Sequence, residues 1–271
     1  MTSDNGRHIT KFSVFNKDVE LRVATTGHGK PIIFCPGVSF TQPDWRAITD
    51  KLTKDYQVFT FDVRGHGESS EADDYSLAAF LDDAQKVVRT ILGQHVHQDK
   101  PLLVGYSLGA DLAAHVAASR PDDFAALIII DGANPLPAPT LDAAFLPAFC
   151  TMLEDPDTVK AMDEAKGTPH QVLLTPQNIL ALNLELDDFR QHLLGTYDKI
   201  SCPITLLMSK SMAGTDAPYS ARLNKLWHDG IARLQRHRPD VKVTWFDGDH
   251  TIVFTKAKEI AARIDSLYFT R

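Results

Sequence analysis

Short apolar runs and longer amphipathic stretches alternate along most of the chain. The runs predict eight strands, at residues 12–15, 19–23, 31–35, 56–61, 101–105, 126–130, 204–208 and 241–246. Most of them are continuously apolar, which is typical of parallel strands buried on both faces. Helical spacing of apolar residues predicts helices at residues 77–91, 108–119, 220–236 and 254–267. The pattern therefore predicts an α/β fold with a mostly parallel eight-stranded sheet flanked by helices, opened by a hairpin.

Residues 132–199 break this alternation. They show no strand pattern, and Pro156, Pro169 and Pro176 separate short amphipathic segments. Long insertions in compact domains are usually functional or disordered, and this one is too apolar for disorder. We therefore predict a helical cap over one end of the sheet, on a core made of residues 1–131 and 200–271. The alternative is a connecting segment with no binding role.

Composition and charge indicate which kinds of partner the protein has. The 271 residues include 28 Lys and Arg against 35 Asp and Glu, a formal charge of −7, which argues against a nucleic-acid partner. No apolar run reaches the roughly 18 residues of a membrane span, and the N-terminus has no signal-like apolar stretch. Cys35, Cys150 and Cys202 are far apart and predict neither a disulfide framework nor a zinc site. We expect a cytoplasmic protein that acts on a small molecule, with no membrane partner; a homo-oligomer is compatible with this composition.

Gly105-Tyr106-Ser107-Leu108-Gly109 joins a predicted strand to a predicted helix. This GxSxG pattern is typical of a sharp turn that strains the serine backbone and needs small residues two positions to each side. The turn directs the hydroxyl outward at the carboxyl edge of the sheet, where the amino end of the next helix favours negative charge. Ser107 is therefore the candidate nucleophile.

A serine hydroxyl needs a base beside it. Of the 11 histidines, His250 follows the last predicted strand and precedes the last predicted helix, which places it at the same edge as Ser107. His95 and His97 lie in a polar loop and are interpreted as solvated. No histidines show metal-ligand spacing on one element, so no metal is expected, and a serine nucleophile with a histidine base needs no cofactor. His250 is the candidate general base.

Two further segments complete a familiar order of motifs. Residues 34–38 (Phe-Cys-Pro-Gly-Val) come first, residues 62–69 (Asp-Val-Arg-Gly-His-Gly-Glu-Ser) follow, and the GxSxG turn and the segment around His250 come last. In this order the chain resembles the α/β-hydrolase fold superfamily over nearly all of its length, in its serine-hydrolase branch with a helical cap. The resemblance implies Ser107 as nucleophile and His250 as base.

The same resemblance assigns supporting roles. Residues 34–38 correspond to the HG-x oxyanion loop of the family, with proline in place of the usual histidine. The backbone amides of Val38 and Leu108 would then form the oxyanion hole. Residues 62–69 resemble the D-x-R-G-x-G-x-S turn, in which Arg64 and His66 are interpreted as structural.

Two residues compete for the acid that orients the base. The family usually supplies it in a G-x-x-D-x-x-x-P segment after the strand at 204–208, where Asp216 is the only acid and Pro218 follows it. Asp216 comes later than usual in this loop. Asp131 lies directly at the end of the preceding strand, where some relatives, including certain haloalkane dehalogenases, place the acid. Both stay open as the third catalytic residue.

Aromatic residues near the motifs are candidates for substrate contact. Trp45 follows the oxyanion loop and Tyr106 precedes the candidate nucleophile, so both are predicted to bind substrate. For Trp45, packing of the first helix on the sheet is an equal alternative. The cap also supplies apolar residues that could face a pocket or form its own core: Phe145, Phe149, Met152, Leu153, Met162 and Leu180.

Three functions are compatible with these residues. The favoured one is hydrolysis of a carboxylic ester, thioester or lactone of a small, partly apolar substrate through an acyl-enzyme on Ser107. The second is hydrolysis of a carbon–carbon bond in a diketone-like compound by the same triad. The third is a non-catalytic ligand-binding receptor on the same fold. The usual haloalkane dehalogenases and epoxide hydrolases are disfavoured, because their nucleophile is an aspartate.

Overall fold

The sheet runs through the whole core. The computed structural model describes residues 3–4, 7–94 and 99–269, so His95 and His97 lie outside the described residues. Its strands are β1 (Ser3–Asp4), β2 (Arg7–Asn16), β3 (Val19–Gly27), β4 (Lys30–Cys35), β5 (Tyr56–Phe61), β6 (Leu102–Tyr106), β7 (Ala126–Ile130), β8 (Ile204–Ser209) and β9 (Lys242–Phe246). They lie in the order β1-β2-β3-β5-β4-β6-β7-β8-β9.

The predicted fold class is confirmed. Strands β2 and β3 form the antiparallel opening hairpin, and β3 also pairs antiparallel with β5. Every pair from β4·β5 to β8·β9 is parallel, so eight strands make a mixed, mostly parallel sheet, and the two-residue β1 extends its edge. The carboxyl ends of β4, β6, β7, β8 and β9 therefore meet at one edge.

Helices cover both faces of the sheet. The core helices are α1 (Arg46–Leu52), α2 (Leu77–Gln94), α3 (Leu108–Ser119), α8 (Ser220–His237), α9 (Ile252–Thr255) and α10 (Ala257–Phe269). The side chains of β4 show why its run is continuously apolar: Ile33 and Cys35 pack with α2 and α3, whereas Ile32 and Phe34 pack with α1 and α10. Among the described residues, no helix combines the length and apolarity that a bilayer crossing requires.

The segment between β7 and β8 is helical. It contains α4 (Leu146–Leu153), α5 (Pro156–Ala165), α6 (Pro176–Gln191) and α7 (Leu194–Tyr197). Two of the predicted breakers start helices instead of ending them, because Pro156 and Pro176 follow the capping residues Asp155 and Thr175. We call residues 132–199 the cap. One cap residue, Val172, forms an isolated antiparallel bridge with His66 of the core.

A buried ion pair ties the cap to helix α3. The Arg190 guanidinium of α6 donates to the Asp111 carboxylate of α3, with the closest approach at 2.6 Å, and the two side chains are 12% and 0% exposed. Asp111 lies in the first turn of the helix that begins directly after Ser107. The cap is therefore anchored next to the candidate nucleophile.

We expect the Arg190→Met variant to lose about 3–5 kcal/mol of unfolding free energy, because the Asp111 carboxylate would remain buried without its cation. The double variant Asp111→Leu/Arg190→Met removes both charges and should recover most of that loss. Urea unfolding of the three proteins measures the difference. Equal losses in the single and double variants would contradict this account.

Candidate active site

A strained turn presents Ser107 at the carboxyl edge of the sheet. It joins β6 to α3 with φ 52° and ψ −122°, a backbone conformation that is costly for a residue with a side chain. The flanking glycines are required sterically: a Cβ at Gly109 would collide with the Cys35 carbonyl oxygen, and one at Gly105 with the Gly109 carbonyl oxygen. The Ser107 amide donates to the Ile130 carbonyl at 3.1 Å, which fastens the turn to β7.

Three side chains form one hydrogen-bonded chain at this edge. His250 Nε2 lies 3.0 Å from Ser107 Oγ, and His250 Nδ1 lies 2.7 Å from Asp131 Oδ2. An ionised carboxylate only accepts hydrogen bonds, so Nδ1 carries the proton and the Nε2 lone pair faces the serine hydroxyl. This arrangement lets the imidazole accept a proton from Ser107 while Asp131 stabilises the resulting cation.

Asp131 is wholly buried, and its carboxylate is saturated with donors. Besides His250, it accepts from the Ser209 amide at 2.9 Å, from Ser209 Oγ at 2.7 Å and from Trp227 Nε1 at 3.1 Å. Ser209 and Trp227 were not foreseen from the sequence. A polar residue ending β8, beside the end of β7, was the available signal for Ser209.

Asp216 does not reach the histidine. The loop after β8 passes His250 four residues earlier, where the Met212 carbonyl accepts from the His250 amide at 3.2 Å. Asp216 lies beyond this point, exposed, and its carboxylate accepts from Thr215 Oγ1 at 2.8 Å. Of the two candidate acids, the structure thus brings Asp131 to the base, because the longer loop carries Asp216 past the site.

Tyr106 contacts His250. Its hydroxyl donates to the His250 carbonyl at 2.9 Å, and its ring stacks on the imidazole with centroids 5.1 Å apart. The side chain is buried, and burial raises the pKa of the phenol, so the hydroxyl keeps the proton it donates. The predicted substrate contact of Tyr106 therefore gives way to a role in holding His250.

Trp45 is also placed differently from the predicted substrate-binding position. The Gln42–Trp45 3₁₀ helix, with its early proline, turns the indole onto the sheet, and the side chain is 0% exposed. It packs against Phe34 and Phe40 with ring centroids 4.7 Å away in both cases. This is the packing alternative left open by the sequence.

The loop after β4 lies against the nucleophile. A Cβ at Gly37 would lie 3.0 Å from the Ser107 Cβ, so the backbone at Gly37 packs against the serine. Val38 is the next residue of this loop. Leu108 is the first residue of α3, and first-turn amides have no acceptor within a helix. Among the described residues, neither the Val38 nor the Leu108 amide donates to a protein acceptor. Both are therefore available to a ligand at Ser107.

Strained backbone conformations cluster around Ser107. Positive φ at residues other than glycine occurs in Ser39 (58°), Ser107 (52°), Asp131 (44°) and Ala133 (43°), and in Lys17 (55°) of the distant hairpin turn. Strain of this kind persists only where the surrounding structure holds it, and it is typical of functional sites. The described residues contain no group of His, Cys, Asp and Glu side chains suited to a metal ion.

His66 hydrogen-bonds to the loop after β4. It is wholly buried, and burial lowers the pKa of its imidazole to about 4. Nδ1 lies 2.8 Å from the Arg64 carbonyl oxygen, an acceptor, so Nδ1 carries the proton. Nε2 is then left to accept a hydrogen bond from the Ser39 amide at 3.1 Å.

The burial of His66 predicts acid sensitivity. Above pH 6.5 the imidazole is neutral in both states; as the pH falls toward about 4 only the unfolded chain takes up the proton, so stability is lost across that window. The loss attributable to His66 is about 3 kcal/mol. Urea unfolding at pH 7 and pH 4 should show it in the wild type but not in His66→Gln. Asp62 also titrates in this pH range, because burial raises its pKa to about 6. It is present in both proteins, so its contribution cancels in the comparison. Identical pH dependence of the two proteins would contradict the assignment.

Comparisons with known proteins agree with the fold and with hydrolytic chemistry. Residues 30–171 match the family model of the alpha/beta hydrolase fold. The 2-(acetamidomethylene)succinate hydrolase of Mesorhizobium japonicum is 24% identical over 255 residues, which cover 86% of each chain. An epoxide hydrolase of Caballeronia sordidicola is 29% identical over 128 residues, 47% of this chain but only 38% of that protein. The crystal structure of E-2-(acetamidomethylene)succinate hydrolase superposes with a TM-score of 0.72 at 19% identity, covering 96% of this chain and 99% of the other.

Proposed function

Because the chain belongs to the α/β-hydrolase fold family, we propose that it is a serine hydrolase cleaving a carboxylic ester, thioester or lactone. The observation that carries the proposal is the hydrogen-bonded chain from Ser107 Oγ through His250 to the buried Asp131 carboxylate. The base lies within hydrogen-bond reach of both the nucleophile and the orienting acid, as acyl transfer requires.

The reaction follows from the protons in this chain. Ser107 Oγ attacks the substrate carbonyl carbon while His250 Nε2 takes the hydroxyl proton, and Asp131 stabilises the imidazolium. The imidazolium then protonates the leaving alcohol or thiol, and an acyl ester remains on Ser107. Water attacks that ester with His250 again as base, which releases the carboxylic acid and restores the serine.

The negative charge on the carbonyl oxygen needs donors that are already in place. In this proposal the Val38 and Leu108 amides donate to that oxygen. Two observations support this assignment of the amides: Gly37 packs on Ser107, and Leu108 lies at the amino end of α3. Removing one such donor typically lowers the rate by about 10²- to 10³-fold.

An apolar cluster shared by the cap, helix α8 and the loop after β8 supports a partly apolar substrate. Leu141, Phe145 and Leu223 are buried together, and partly exposed Phe149 and Met212 pack on them. Met212 also accepts a hydrogen bond from the His250 amide, so this cluster continues to the base. Of the other apolar cap residues, Leu180 joins the cluster, Leu153 and Met162 pack on the main core, and Met152 is half exposed.

Intact-mass analysis after treatment with a fluorophosphonate tests the proposal. We expect one adduct on wild-type protein, located at Ser107 by peptide mapping, and none on His250→Ala. The control His237→Ala should label like the wild type, since that histidine ends α8 and bonds to Asp198 of the cap, away from the Ser107–His250–Asp131 chain. A wild type that stays unlabelled would overturn the proposal.

A substrate screen then separates the chemical classes. Turnover of p-nitrophenyl esters, thioesters or lactones supports the proposed reaction. Turnover of a vinylogous diketone with no ester cleavage would replace it with carbon–carbon bond hydrolysis by the same residues.

A further inference from the structure

The His66 imidazole stands between the cap and the loop that carries Val38. On one side its Nε2 accepts the Ser39 amide at 3.1 Å. On the other side its turn pairs with the cap: the Leu173 amide donates to the Gly65 carbonyl at 2.8 Å, and the Gly67 amide donates to the Gln171 carbonyl at 2.9 Å. Through the covalent turn 65–67, these hydrogen bonds therefore connect cap residues 171–173 to the backbone at Ser39.

The bond to Ser39 bears on its neighbour. Val38 and Ser39 are consecutive, and Ser39 has a strained positive φ of 58° that must be held by its surroundings. A rotation of the Ser39 backbone turns the preceding peptide planes, and the Val38 amide with them. The donor direction at Val38 thus depends on the acceptor that His66 offers to Ser39.

The turn itself is rigid. The Arg64 guanidinium donates to both oxygens of the Asp83 carboxylate, at 2.7 and 2.8 Å, and both side chains are buried. The His66 ring also lies edge-on to Phe80, 6.5 Å between centroids. The buried bidentate pair holds the turn, and the bond from His66 Nδ1 to the Arg64 carbonyl with the Phe80 contact orients the ring, so that Nε2 faces the Ser39 amide.

We infer that His66 is a positioning residue for the oxyanion hole and that it links the orientation of the Val38 amide to cap residues 171–173. This inference rests on the proposed hydrolase function. It differs from the interpretation of His66 as merely structural, because it predicts a defect in catalysis that is separable from a defect in stability.

Two substitutions at His66 each remove one of the two hydrogen bonds of the ring and keep the other. In His66→Gln the side-chain oxygen can reach the Nε2 position and accept the Ser39 amide, while the bond to the Arg64 carbonyl is lost. In His66→Asn the shorter amide can keep the bond to Arg64 but cannot reach Ser39. A packing role predicts similar damage from both variants, whereas the positioning role predicts a catalytic defect in Asn alone.

The readouts are kcat and KM on a p-nitrophenyl ester and the affinity for a trifluoromethyl ketone, which forms a tetrahedral adduct with the serine. For His66→Asn we expect kcat to fall about 10- to 100-fold with KM nearly unchanged, and ketone affinity to weaken by a similar factor. His66→Gln should stay within about threefold of wild type. His115→Asn is the matched control, since that histidine bonds to Gln85 away from the site.

The cap link has its own test. Gln171→Ala removes a 2.7 Å bond from the Gln171 side chain to the Gly67 carbonyl. We expect it to lower kcat about threefold in the wild type and to have no further effect in His66→Asn, because both changes act through the same loop. Multiplicative effects of the two changes would overturn the link to the cap.

The outcomes separate the inference from the function on which it rests. A wild type that turns over the ester, together with equal kcat in the Asn and Gln variants, overturns the positioning role alone. A wild type that neither turns over any ester nor binds the ketone overturns the proposed function, and the positioning role with it.

Discussion

The Ser107→Ala variant should lose turnover by a factor on the order of 10⁴ to 10⁶ while remaining folded. The loss is large because alanine removes the only atom that can form the acyl-enzyme, whereas His250 and Asp131 keep their mutual bond at 2.7 Å. Any residual rate would come from water held at His250 and from the oxyanion donors. Steady-state kinetics on the best ester of the screen measures the effect.

A second substitution at the same position separates chemistry from folding. Ser107→Gly removes the nucleophile as well, but glycine tolerates the φ of 52° that strains serine. We expect this variant to be as inactive as Ser107→Ala and about 1 kcal/mol more stable than it in urea unfolding. An alanine variant that retains more than a tenth of the wild-type rate would show that Ser107 is not the nucleophile.

The Asp131→Asn variant should lose about 10⁴-fold in kcat, whereas Asp216→Asn should remain within twofold of the wild type. Asparagine at 131 can still accept from Ser209, and its amide NH₂ would then face His250 Nδ1. That contact favours the tautomer with the proton on Nε2, which cannot accept the proton of Ser107. The expected defect is therefore a wrong tautomer of His250, whose ring keeps its position.

Asp216→Asn is the matched control because it makes the same chemical change in the rival acid, which lies exposed and bonded to Thr215. Comparison of kcat for the two variants decides the assignment. A large loss in Asp216→Asn with a small one in Asp131→Asn would mean that the loop after β8 rearranges to bring Asp216 to the base.

The fold was predictable because its signals are local. Continuously apolar runs such as 126–130 and a strand–serine–helix junction at Ser107 identify their elements without knowledge of the rest of the chain. The relation of His250 to Ser107 was predictable too, since the carboxyl ends of all the parallel strands of one sheet lie at the same edge.

Side-chain direction was not predictable in the same way. Asp131 and Asp216 both follow strands that end at this edge, and the choice between them depends on how far the loop after β8 extends past His250. Trp45 follows the oxyanion loop in sequence, but a one-turn 3₁₀ helix points it into the sheet. Ser209 and Trp227 lie 78 and 96 positions from Asp131, so no local pattern could connect them to the acid.

The order of the proposed catalytic residues along the chain sets when a growing polypeptide could become active. Ser107 precedes His250 by 143 positions, and Asp131 precedes it by 119. At translation rates of about 5–20 residues per second, the ribosome would finish the serine turn roughly 7–30 s before the histidine. During that interval the serine has no base, so a nascent chain carries an inert hydroxyl. Enzymatic activity in a cell extract would therefore report on chains synthesised at least through β9 and folded around it.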